Sequence, residues 1–159
     1  MSSIRGKAAI QKSKYSLKRL RSAIRRRFAG LFLPRIVLID DDPIFCEMMR
    51  TAAEKMRIKM TVIDDPAALS GVIAKGRVDV VILDYDLGPV TGIDVAAVLG
   101  PIPSLLTSRT CRHIPETDQW PDSVVGFVPK KLGVMAILET TLDIYFERRR
   151  QTQESLAAS

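Results

Sequence analysis

The chain reads as an α/β domain, a five-stranded parallel sheet with helices on both faces. Three observations predict it. The runs Arg35–Ile39, Ile58–Ile63, Val78–Leu83, Pro103–Thr107 and Val124–Val128 have the length and the apolar, largely β-branched content of buried strands. The segments between them carry helical apolar spacing or helix-opening residues. Carboxylates, hydroxyls or an ammonium stand at the carboxyl ends of four of the five runs, where an open α/β sheet carries its reactive groups.

Composition bounds the rest. At 159 residues the chain holds one domain with an appendage. A chain of this size buries roughly two-thirds of its unfolded surface and needs no staples. Cys46 and Cys111 lie far apart with no CxxC pair, so free thiols of a reducing, cytoplasmic compartment are expected, with neither disulfide nor zinc. Residues 1–35 carry eleven Lys/Arg and no acid, whereas residues 36–159 carry thirteen Lys/Arg against eighteen Asp/Glu. The average of +6 thus divides into a +11 arm and a −5 domain, and the domain's balance offers nucleic acid nothing. No apolar stretch approaches the ~20 residues that span a bilayer, and the first residues lack a secretory signal's apolar core.

Taken in order, residues 1–34 are a basic arm. Leu17, Leu20, Ile24, Phe28 and Leu31 form one helical stripe, with Lys18, Arg19, Arg21 and Arg25-Arg26-Arg27 on the remaining surface. Gly30 and Pro34 supply stop signals. Such a helix suits contact with an anionic membrane surface or a partner through residues 15–33, organelle targeting, or no role beyond an extension.

The first strand, Arg35–Ile39, closes in Asp40-Asp41-Asp42-Pro43. A helix follows through Phe45, Met48, Met49, Ala52 and Met56, with Asp42 as N-cap and Pro43 at N1. Asp65-Pro66 opens a second helix that Gly76 ends, after the second strand. The third strand runs into Asp84-Tyr85-Asp86 and the turn Leu87–Gly92. Thr91–Leu99 is a short third helix closed by Gly100-Pro101. Between the fourth and fifth strands, Pro115 and Pro121 leave little room for a full helix in Ser108–Ser123. A last helix from Gly133 to Arg150 and a polar tail, residues 151–159, complete the chain, which places the domain at 35–150.

In a flavodoxin-like strand order, 2-1-3-4-5, the first and third strands flank the switch point. Their acids would stand about 4.8 Å apart, close enough to raise a pKa or recruit a cation. An all-oxygen ligand set suits Mg²⁺. Thr107 at the end of strand four and Lys130 at the end of strand five would face the cation across Asp84, a set that suits a phosphoryl group. An Asp carboxylate can accept such a group covalently.

These residues resemble the receiver domain of two-component response regulators across 35–150. The resemblance rests on Val37–Asp42, on Ile82-Leu83-Asp84 with Gly92 eight residues on, on Leu106-Thr107-Ser108, and on Gly126–Lys130, in the family's order. It implies that Asp84 accepts a phosphoryl group from a histidine kinase or histidine phosphotransfer protein. It further implies Mg²⁺ held by Asp41, Asp84 and the backbone carbonyl of Asp86 with Asp40 assisting, Thr107 and Phe127 as a switching pair, and Lys130 paired with Asp84 or its phosphate. Output would pass to a downstream effector protein, since the chain leaves no room for a DNA-binding domain, and the protein would be a stand-alone module. The departures are a shortened third helix, a proline-broken fourth, Pro89 one position later than usual, and Asp86 and Arg109 where the family tunes acyl-phosphate lifetime.

Two other functions compete. The same fold without phosphoryl chemistry would be a constitutive binding scaffold. Asp84-Tyr85-Asp86 also resembles the first motif of haloacid-dehalogenase-type phosphatases, but the acidic cluster here lies upstream rather than downstream. His113 is expected on the surface, Trp120 as a packed loop anchor, and Arg148-Arg149-Arg150 as a solvated helix end.

Overall fold

The structure, a computed structural model, describes residues 33–158. The basic arm and its stripe Leu17–Leu31 lie outside the described residues. Five strands, β1 (Arg35–Ile39), β2 (Lys59–Ile63), β3 (Val80–Asp84), β4 (Ser104–Ser108) and β5 (Val124–Pro129), form one sheet. Its order is β2-β1-β3-β4-β5, parallel at every pairing. That is the expected order, with β1 and β3 in register from Ile36↔Val80 to Ile39↔Leu83.

Side-chain alternation along the strands divides the core into two layers. Ile36, Leu38, Ile82, Leu105 and Val128 face helices α1 (Pro43–Lys55) and α4 (Val134–Ala157). Val37, Ile39, Val81, Leu83 and Leu106 face α2 (Leu69–Ala74) and α3 (Gly92–Ala97). Burial on both faces is why these strands read as continuous apolar runs rather than polar–apolar alternations.

Local chemistry starts the helices as expected. Asp42 caps α1 by accepting from the Ile44 N–H at 3.0 Å, with Pro43 in the first turn. Asp65 accepts from the Ala67 N–H at 2.9 Å and opens a 3₁₀ turn, Pro66–Ala68, ahead of α2. Thr91 and Asp94 form a reciprocal capping box on α3.

Several element ends shift by one or two residues from expectation, and three departures have a visible cause. Strand β3 begins at Val80 because Asp79 turns aside, its carboxylate accepting from the Arg35 N–H at 2.8 Å and pairing with Arg77 at 2.6 Å. The β4–β5 connection contains only a 3₁₀ turn, Thr117–Gln119, where a shortened fourth helix was expected. Helix α4 continues to Ala157, through residues expected to be a polar tail. Gln151–Ala157 holds no Gly or Pro and is built of adequate helix formers, so polarity alone does not end the helix.

Candidate functional site

The strand alternation that builds the α1/α4 side of the core also builds the site. Two residues beyond Leu38 stands Asp40, two beyond Ile82 stands Asp84, two beyond Leu105 stands Thr107, and two beyond Val128 stands Lys130. Each is the next inward position once the apolar run is spent. The parallel order brings all four to one end of the sheet.

Asp40 is fully buried and Asp84 is 6% exposed, while Asp41 stands in the open beside them. Carboxylate oxygens of the three lie within 4.8 Å of one another. The Lys130 ammonium, itself buried, bridges two of them, at 2.6 Å from Asp40 Oδ2 and 3.2 Å from Asp84 Oδ1. It also sits 4.5 Å from the centre of the Phe45 ring, an aromatic face that favours a cation. Phe45 was legible only as a core residue of the first helix, because nothing local in the sequence puts it beneath Lys130.

Electrostatics follow from burial. Loss of water raises the Asp40 carboxyl above the ordinary range, opposed by Lys130 and by the Asp42 N–H, which donates to Asp40 Oδ1 at 3.0 Å. Burial and then the neighbouring Asp40 charge push Asp84 up to about 6, with Lys130 opposing. The Cys46 thiol, buried and donating to the Asp40 carbonyl at 3.2 Å, is pushed up to about 11, which makes it an inert part of the packing.

Ionised, Asp40, Asp41, Asp84 and Lys130 sum to −2, the charge that one divalent cation neutralises. The donors are all oxygen, and the single Lys130 ammonium is the only cation bridging the two buried carboxylates among the described residues. The set therefore fits Mg²⁺.

A pocket of about 500 Å³ opens above Asp84, lined in part by Asp41, Asp86, Arg109 and His113. The Asp86 carboxylate lies outside the three-acid cluster but on this pocket wall. Arg109 pairs with Asp42 at 2.5 Å, and the Tyr85 hydroxyl donates to the His113 carbonyl at 2.8 Å. These two contacts fasten the start of the β4–β5 connection across the strand ends, so His113 is exposed, as expected, yet at the rim of the pocket. Sequence spacing gave no sign of this, since the partners are 67 and 28 residues apart.

Thr107 is fully buried, and its hydroxyl donates to the Leu83 carbonyl at 3.3 Å, one residue short of Asp84. Phe127 has the opposite parity to Lys130 and is half-buried against the α2/α3 layer. Trp120 anchors its loop through an indole N–H donated to the Pro115 carbonyl at 3.0 Å.

Gly92 holds the floor of the site. A Cβ there would overlap the Asp84 carbonyl oxygen and come within 3.1 Å of Leu106. Only glycine lets α3 start this close to the end of β3.

Comparison with known proteins bears on the fold. Residues 36–105 match the family described as the response regulator receiver domain, a span that ends within β4, so Phe127 and Lys130 lie beyond it. No curated protein sequence matches the chain. Among solved structures it is similar to the receiver domain of the Francisella response regulator 1452, at 19% identity and TM-score 0.59, covering 73% of this chain and 98% of that one. A CheY-like receiver domain protein from Methanospirillum hungatei aligns at 13% identity and TM-score 0.61, covering 76% and 99%. The response regulator TrrA from Thermotoga maritima, solved with Mg²⁺ and BeF, aligns at 18% identity and TM-score 0.59, covering 68% and 96%. Residues 36–105 thus match the response regulator receiver family, and the sheet order and these structures give the described chain the receiver fold.

Proposed function

We propose that this receiver accepts a phosphoryl group on Asp84 from the phosphohistidine of a kinase or phosphotransfer protein and passes the change to an effector protein. The observation that supports it best is the buried Lys130 ammonium bridging Asp40 and Asp84 beneath an open pocket. A lysine cap needs no three acids. A phosphoryl acceptor does need a carboxylate nucleophile, a cation site and a fixed positive charge beside the incoming oxygens.

In the transfer, an Asp84 carboxylate oxygen attacks phosphorus while the P–N bond of the donor breaks. The electron pair returns to the imidazole, and an acyl phosphate forms on Asp84. Asp41, Asp84 and the backbone carbonyl of Asp86 would hold Mg²⁺, with Asp40 assisting; when bound, it supplies positive charge to the transferring oxygens. Lys130 sits close enough to leave Asp84 for the new phosphate without losing Asp40. Thr107 is adjacent to this group and gives up only a 3.3 Å bond to a backbone carbonyl if it turns toward it. Phe127, one strand away, is the neighbour whose packing would answer that movement.

The reading is tested with acetyl phosphate and Mg²⁺, followed by phosphate-affinity electrophoresis and Trp120 fluorescence. A mobility shift abolished by Asp84→Ala is expected. No shift and no fluorescence change would leave a receiver-fold scaffold, and repeated phosphate release from small esters would point to a phosphatase.

A further inference from the structure

The end of the sheet opposite the acid cluster carries a second cleft, about 580 Å³ in volume. Its floor is the chain just before β3 and β4, Arg77–Asp79 and Pro101–Pro103. One wall is the last half of α4, where Tyr145, Arg148, Arg149, Thr152 and Leu156 fall at the spacing of a single helix face. Thr152 and Leu156 lie in the turns expected to be a polar tail, so the continuation of α4 past Arg150 supplies part of this wall. We propose that the cleft binds a phosphomonoester, its phosphate on the Arg77, Arg148 and Arg149 guanidiniums and its organic body against Ile102 and Leu156.

Charge sets the sign of the ligand. Among the lining residues three arginines face one carboxylate, Asp79, which leaves an excess of +2. That carboxylate is already committed, since Arg77 donates to both of its oxygens at 2.6 and 2.9 Å. Arg148 and Arg149 ion-pair with no carboxylate among the described residues, and the nearby Glu147 and Glu154 turn instead to Arg150. Of the three arginines expected at a solvated helix end, two therefore face the cleft. A phosphomonoester carries about −2 at neutral pH and matches the excess, which a single carboxylate does not.

Geometry narrows the choice further. Arg77 and Arg149 both donate to the Tyr145 hydroxyl, at 3.3 and 2.9 Å, so two positive groups are held side by side across one oxygen. Arg149 also lies 5.7 Å from the centre of the Tyr145 ring, and Arg148 donates to the Pro101 carbonyl at 3.0 Å. Like charges fixed this close repel, and an anion shared between them removes the cost. A guanidinium has five N–H donors, of which Arg148 and Arg149 each spend one on these contacts. Their forks are thus ordered before the ligand arrives, with donors left for phosphate oxygens at ~2.8 Å.

The rest of the lining describes the organic body. Ile102 is half-buried on the floor, and Leu156, 73% exposed, is one of four large apolar side chains that stand out among the described residues. The volume falls within the roughly 300–1,000 Å³ of small-molecule sites, room for an ester the size of a nucleoside monophosphate. Inorganic phosphate would leave Ile102 and Leu156 bare. The cleft and the acid cluster lie at opposite ends of β3, with Asp79 just before its first residue and Asp84 its last. The inference therefore rests on the cleft alone and holds whether or not Asp84 is phosphorylated.

The probe is phenyl phosphate, titrated into the full 159-residue chain with EDTA present and followed by amide ¹H–¹⁵N shifts. Saturable shifts are expected at residues 77–79, 101–103 and 145–156, with affinity at least fivefold tighter than for benzoate or inorganic phosphate. Arg148→Gln/Arg149→Gln should weaken binding at least tenfold. Thr152→Glu, which sets a carboxylate beside both arginines and leaves them in place, should do the same, with the rest of the spectrum unchanged as the sign of an intact fold. The proposal is overturned by the absence of saturable shifts at the cleft, by shifts confined to residues 1–34 or to the acid pocket, or by equal affinity for benzoate. Vesicles containing phosphatidic acid separate two sources of the same chemistry. Sedimentation with them that is lost in Arg148→Gln/Arg149→Gln would make the ligand a lipid headgroup; sedimentation absent, or indifferent to that substitution, would make it a free ester.

Discussion

One ammonium shared by two buried carboxylates decides the behaviour of this site at the scale of single residues. Burial raises both Asp40 and Asp84, the latter to about 6. Their folded-state values lie above the unfolded value of 3.8, so the folded protein holds more protons between about pH 4 and pH 6. The stability tied to those protons is complete below the unfolded value and is lost as pH rises through the folded one. Lys130 limits that loss. In Lys130→Met two buried charges lose their counterion, and at pH 7.5 without Mg²⁺ the expected cost is about 3 kcal/mol. At pH 5 both acids take up protons more readily and the cost should fall to half or less. Urea unfolding at the two pH values measures this, and an equal loss at both would mean that Lys130 is not the counterion of the pair.

Among the elements, the shortest ones shape the site most. Helix α3 is six residues long, yet its first residue must be Gly92 because Asp84 lies directly against it. Gly92→Ala is expected to cost about 2 kcal/mol or more, since the clash is with backbone and cannot be relieved by a rotamer. Gly71→Ala is the control: no atom lies within 4 Å of its added methyl, and in α2 it should gain about 0.5–1 kcal/mol. Thermal melts that rank the two alike would remove the close-approach argument. Element identity was largely legible in the sequence, because Asp42-Pro43, Asp65-Pro66 and Thr91 act through bonds to residues two or three away. Less legible was the β4–β5 connection. Its prolines announced the missing helix, but its shape comes from Arg109 reaching Asp42 and Tyr85 reaching His113.

The whole molecule couples the acid cluster to overall stability, since Asp40 and Asp84 stand at the carboxyl ends of the adjacent interior strands β1 and β3. Mg²⁺ bound to the folded state alone, at a hundredfold its dissociation constant, should add about 2.7 kcal/mol at pH 7.5. The gain is expected to fall to about half near pH 5, where the ion must displace a proton from most Asp84 carboxyls, and to be lost in Asp84→Asn at either pH. Differential scanning calorimetry with and without Mg²⁺ checks both. A gain that persists in Asp84→Asn would place the ion elsewhere. Among the described residues no helix is long and apolar enough to cross a membrane.

The sequence by itself determined the α/β class, the five strands and the identity of the groups at their ends, because strand period, apolar runs and caps are properties of neighbouring residues. It also carried the parity that sends Asp40, Asp84, Thr107 and Lys130 to one side of the sheet, though that parity has meaning only once β1, β3, β4 and β5 lie side by side. Tertiary structure alone decided that Lys130 is nearer Asp40 than Asp84, that Phe45 lies beneath it, and that a basic cleft opens beside the end of α4. Those outcomes depend on distances between segments far apart in the chain, and such distances are set by how two packed layers close over a sheet rather than by local preference.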